Sequence, residues 1–109
     1  MAGFENVNLD YRNGKITCNK KNVTLHYNTP TGNNKVRWKL GAGMRAGKKV
    51  VLYWESGSPF GKFTEDSGKH EILGTNNTRK RGPFKYAIAL YGKDGKEISR
   101  LDPRIQNDP

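Results

Sequence analysis

The sequence predicts an all-β protein: a single-domain antiparallel β-sandwich of about seven short strands, spanning residues 1–109. Three observations carry this. Apolar residues recur with a period of two in several segments, as half-buried strands require. Turn residues interrupt the chain at short intervals, among them Asn13-Gly14, Thr29-Pro30, Gly32-Asn33 and Asp94-Gly95, so no window holds a helix of three turns. The 109 residues fit one core, and two Trp, five Tyr and four Phe supply large burial in a chain that is only 33% apolar.

The segments support the class one by one. The opening MAGFENVNLDY has neither a basic nor an apolar block and does not read as a signal peptide; no strand is assigned to it. GKITCN and KHEIL are weak strand candidates. NVTLHYN sets Val23, Leu25 and Tyr27 on one face. KVRWKL sets Val36, Trp38 and Leu40 against Arg37 and Lys39, one face dry and one wet. KKVVLYWE is apolar on both faces and reads as a central strand or one covered twice. The stretch from Ser56 to Lys69 reads as an irregular crossing segment that drops Phe60 and Phe63 into the core. FKYAIALY groups Phe84, Tyr86, Ile88 and Leu90, with small Ala87 and Ala89 behind, and Tyr91 starts a hairpin whose return strand carries Ile98. In RLDPRI, Pro103 fixes its own φ and keeps Asp102 extended, so Leu101 and Ile105 can pin the tail while Asp102 sits beside Arg100 and Arg104. An OB-type barrel is the alternative, but it normally includes a helix.

The ending FKYAIALYGKDGKEISRLDPRIQNDP resembles that of a group of small uncharacterised bacterial β-sandwich proteins with a C-terminal LDPxIxND motif. KVRWKL is similar to the group's I-x-W-x-L strand. The resemblance implies an immunoglobulin-like or cupredoxin-like fold and makes Leu101, Asp102, Pro103, Arg104 and Ile105 a structural motif. It implies no activity.

The chemistry-bearing residues are dispersed. A blue-copper site needs two His, a Cys and an axial ligand, with most of them close together. Here Cys18, His26, Met44 and His70 are far apart in sequence, and no paired spacing suits zinc. The reading is no metal and no cofactor. Cys18 and His26 read as a small buried thiol and a surface imidazole rather than a nucleophile and its base. Glu55 and Glu65-Asp66 do not present a convergent acid pair. GAGMRAGKK misses the phosphate-loop spacing and precedes a strand, so it reads as a flexible basic loop.

The net charge is +10, twenty Lys and Arg against ten Asp and Glu. Such a field attracts polyanions. Arg37, Lys39, Arg45, Lys48, Lys49, Arg79, Lys80 and Arg81 are the polyanion-binding candidates. One cysteine permits no internal disulfide and fits a reducing compartment, so a cytoplasmic location is expected. No segment has the run of apolar residues a membrane span needs. The leading expectation is a non-enzymatic binding module, monomer or weak dimer, whose loops and polar sheet face contact an unknown macromolecular partner. Nonspecific nucleic-acid or polyanion binding through the basic loops is the alternative. A small hydrolase, which needs a pocket holding acids or His26, is the second.

Overall fold

Alternation fixes which side of each ribbon is dry, and the protein stacks those dry sides against each other in two layers. The structure is a computed structural model describing residues 4–27, 34–45, 48–55, 57–66, 68–76 and 78–109. The turns read at Thr29-Pro30 and Gly32-Asn33 lie outside the described residues.

Ten strands are present: β1 Phe4–Arg12, β2 Lys15–Cys18, β3 Asn22–His26, β4 Lys35–Leu40, β5 Lys49–Trp54, β6 Phe60–Asp66, β7 Glu71–Asn76, β8 Gly82–Tyr91, β9 Glu97–Leu101 and β10 Arg104–Asp108. The first sheet runs β2-β1-β4-β7-β6. The second runs β3-β10-β8-β5, with β9 also on β8. Asn13 and Gly14 take φ of 53° and 78°, the left-handed pair of a tight hairpin between β1 and β2.

The inner faces follow the alternation. Val23, Leu25, Val36, Trp38, Tyr86, Ile88 and Leu90 are buried in one core. β9 and β10 act as one long ribbon against β8. Ile88 opposes Leu101 and Lys85 opposes Arg104, three residues further on each strand, so the register is unbroken. Pro103 sits between, buried, and its carbonyl still accepts a bond from Tyr86 N at 3.3 Å. The extended reading of RLDPRI holds, with Ile105 fully buried and Leu101 packed on the core.

Four expectations are corrected. The sandwich is mixed rather than antiparallel, because β1 lies parallel to β4 and β10 parallel to β3. These pairs join strands distant in the chain, which local periodicity does not report. Ten strands replace about seven. β1 forms where no strand is expected, with Val7 and Leu9 alternating inward. Second, residues 60–66 are not an irregular crossing but strand β6. Its register shifts between Phe60 and Lys62, and that bulge lets Phe60 and Phe63, three residues apart, both reach Trp38. Phe60 is buried as expected, but Phe63 remains 37% exposed. Third, β5 is an edge strand, paired only with β8 among the described residues. Its two apolar faces are each half-covered, by the core on one side and by outward side chains on the other.

Fourth, GAGMR is a fitted element. Ala42–Met44 forms a 3₁₀ turn seated on β1. Gly43 N donates to Asp10 Oδ1 at 3.0 Å, and Gly41 N to Leu9 O. A Cβ on Gly43 would lie 2.4 Å from Tyr11 O, so glycine is needed for the approach. The Gly43 amide, which a phosphate loop would turn toward its ligand, serves the chain's own carboxylate. Bonds from the Tyr11 and Gly43 amides hold the Asp10 carboxyl below its ordinary value.

The sandwich has one closed side and one open side. The chain passes from β2 in the first sheet into β3 in the second, and Ile16 N donates to Ser99 Oγ on β9. On the opposite side the edges β5 and β6 leave a seam. No helix among the described residues is long and apolar enough to cross a membrane.

Candidate interaction surfaces

The polyanion candidates fall into three groups. Arg37 and Lys39 lie on the wet face of β4, where Arg37 is already engaged. Its guanidinium lies 4.3 Å from the Phe4 ring centre. Its Nε lies 3.4 Å from Glu71 Oε2, an ion pair whose geometry is not aligned for a hydrogen bond. Arg45, Lys48 and Lys49 cluster at the end where β5 begins. Arg45 Nε donates to Leu40 O, and Lys48 Nζ to Gly43 O.

Arg79, Lys80 and Arg81 lie at the other end. The register makes this plain. Lys49 opposes Tyr91 at one end of β8, and Gly82 opposes Asn107 at the other. Those nine residue steps of strand span roughly 30 Å. The loops therefore do not merge into one basic patch.

The loop of Arg79–Arg81 is fixed by a buried network. Asn107, fully buried on β10, donates through Nδ2 to Thr78 O at 3.2 Å and Lys80 O at 3.1 Å. Its Oδ1 accepts from Asn76 Nδ2 on β7, which also reaches Asn34 Oδ1. Asn76 Oδ1 accepts from Thr78 N. Each amide thus satisfies its donors and acceptors inside the fold. The three cations are exposed on a backbone held from beneath.

Two concave surfaces remain. The first is the seam. Val50, Leu52, Trp54, Phe63 and Ile72 line a groove of about 340 Å³ between β5 and β6. It continues into a second hollow of about 340 Å³ at the end carrying Arg45, Lys48, Lys49 and His70. β6 pairs only with β7 and β5 only with β8 among the described residues, so both strands offer free backbone groups along the seam.

The second is a cleft of about 380 Å³ on the outer face of the second sheet. Its floor is Ala87 with the Pro103 region, and Tyr53, Glu55, Lys85, Arg100, Asp102 and Arg104 stand around it. Tyr53 is 42% exposed. Arg100 is not paired with Asp102; its guanidinium takes Glu97 Oε1 at 2.6 and 3.0 Å. Asp108 Oδ1 accepts from Gln106 Nε2 at 2.8 Å. Of the tyrosines Tyr11, Tyr53 and Tyr91, Tyr53 is the exposed one; Tyr91 is half-buried, and Tyr11, on the same face of β1 as Val7 and Leu9, packs against the core.

Sequence reasoning missed Asn107, Lys85 and both hollows. A polar residue in the tail reads as surface, and a cleft made by register has no local signal. Compared with known proteins, the chain matches no family model and no curated protein sequence.

Replacing Asn107 with Ala should cost about 2–3 kcal/mol, because it leaves buried carbonyl and amide groups unpaired. Chemical denaturation measures the loss. Hydrogen exchange should quicken most at Thr78 and Lys80, and a variant of unchanged stability would contradict the clamp.

Proposed function

We propose that the protein is a non-enzymatic interaction module that receives an extended acidic segment of a macromolecular partner in the seam between β5 and β6. The observation that carries this reading is a pair of neighbouring edge strands, both unpaired on their outer sides among the described residues, flanking an apolar groove. An extended segment laid there gains main-chain bonds from an edge and drops alternate side chains onto Val50, Leu52 and Phe63. The end of the seam where Arg45, Lys48 and Lys49 outnumber Glu65 and Glu71 favours acidic residues in the segment. A net charge of +10 sets a second copy at a disadvantage, which favours a monomer with an unlike partner. On the strength of the C-terminal resemblance we read the scaffold as immunoglobulin-like or cupredoxin-like and bacterial, and from the single cysteine we read the setting as the cytoplasm.

A second reading is polyanion binding through the basic loops. What favours it is the Arg79–Arg81 loop, exposed and pinned from below.

Selection of random displayed peptides on the immobilised protein tests the first reading. Enriched sequences should alternate apolar residues and carry Asp or Glu. Enrichment should fall roughly tenfold on Phe63→Lys, the weight of one apolar anchor. No enrichment, or equal enrichment on that variant, would contradict it. For the second reading, a single-stranded oligonucleotide is titrated at several salt concentrations. With three cations per patch, log affinity against log salt should slope about −2. A slope steeper than about −5 would mean that the separated patches act together, against their placement.

A further inference from the structure

We propose that the cleft on the outer face of the second sheet binds the phosphate and flat ring of a nucleotide. This site is separate from the seam and does not depend on it.

The cleft is made by three strands in register. Across one row stand Glu55, Lys85 and Arg104, and across the next stand Tyr53, Ala87 and Asp102. Two residues of strand separate the rows, about 7 Å. Lys85 and Arg104 are direct cross-strand partners of the same sign. Like charges placed opposite one another oppose pairing. Neither side chain makes a hydrogen bond or ion pair with another described residue. Glu55 and Asp102 flank them without an ion pair to either. A doubly charged oxyanion between Lys85 and Arg104 removes that repulsion and gives both cations a partner.

One row away, Tyr53 offers a ring already held in place. Its hydroxyl lies 2.6 Å from Tyr91 Oη, and the Arg100 guanidinium sits 5.2 Å from its centre. Arg100 is in turn gripped by Glu97. An exposed aromatic ring fixed at two points stacks a base with little ordering cost. Ala87, 8% exposed, is small enough to leave the floor low between the two features. Asp102 and Glu55, acceptors without a partner among the described residues, can take the hydroxyl or amino donors of the same ligand. Anion grip, stacking platform and acceptors are the three parts of nucleotide recognition, and a volume of about 380 Å³ lies within the range of small-ligand pockets. The shared chemistry is a phosphorylated nucleoside, free or at one position of a nucleic-acid strand.

The test is an amide-resolved NMR titration of the full chain with adenosine 5′-monophosphate, inorganic phosphate and a short adenine oligonucleotide in separate arms. The proposal expects saturable shifts at Tyr53, Ala87 and Asp102, with the monophosphate binding roughly tenfold tighter than phosphate. Replacing Lys85 and Arg104 together with Ala should abolish binding of all three. The single exposed change Lys85→Gln reports the same loss if the pair fails to fold. Tyr53→Ala should weaken the monophosphate and leave phosphate unaffected. Shifts from the oligonucleotide alone would assign the site to a strand, and shifts from the monophosphate would assign it to a free nucleotide. No shift in either arm, shifts confined to the Arg79–Arg81 loop, or equal affinity for phosphate and monophosphate would overturn the proposal.

Discussion

The hydrogen bond from Trp38 Nε1 to Tyr86 Oη, 3.0 Å long and buried, ties the first sheet to the second. Trp38 comes from β4 in the middle of one layer and Tyr86 from β8 in the middle of the other. Around the bond, Tyr86 stacks on Trp54 at 4.6 Å, and Phe60 meets both tryptophans edge-on. Such aromatic pairs add about 0.5–1.5 kcal/mol each beyond their buried area. The bond itself contributes about 1 kcal/mol, but its loss would strand a phenol among apolar rings at a cost of about 1–3 kcal/mol. Burial accordingly pushes the Tyr86 phenol well above its ordinary value.

The remaining polar ties between layers keep clear of the open seam. Asn76 on β7 bonds Asn107 on β10, and Ile16 on β2 bonds Ser99 on β9. Trp54, Phe60 and Phe63 fill the end of the seam where the chain crosses from β5 to β6. The other end, near Val50 and Ile72, is left hollow. A scaffold locked by its aromatic centre can leave two edges unpaired without splaying, which is the condition for receiving a further strand. The outer cleft relies on the same rigidity. Tyr86 and Trp54 lie beneath its wall, so the platform of Tyr53 stands on the stacked aromatic pair of the core.

Much of this layering was legible in the sequence. Period-two alternation in NVTLHYN, KVRWKL and FKYAIALY named the buried faces of β3, β4 and β8 correctly, because a side chain's face depends only on its neighbours in the strand. In β6 the period of two is broken, because a bulge places Phe63 on the face of Phe60, so the segment reads as irregular although it is a strand. It was silent about the parallel partners of β1 and β10, since pairing is set by tertiary packing. It also ranked the cations by clustering along the chain. Runs such as Arg79-Lys80-Arg81 stood out, while Lys85 and Arg104, far apart in sequence and opposite each other in the sheet, did not. The buried amide of Asn107 carried no signal, because the bonds that make burial tolerable come from loop carbonyls near residue 80.

Site-resolved NMR of the Tyr86 ring carbon during an alkaline titration tests the locked aromatic centre most directly. An exposed phenol ionises near pH 10. Because the folded Tyr86 phenol is raised above that value, its contribution to stability is complete below it and declines as pH rises. The account predicts that the Tyr86 signal stays in its protonated position through the ordinary phenol range and moves only as the sheets separate. A Tyr86 signal that titrates like a free phenol, with the fold intact, would contradict it.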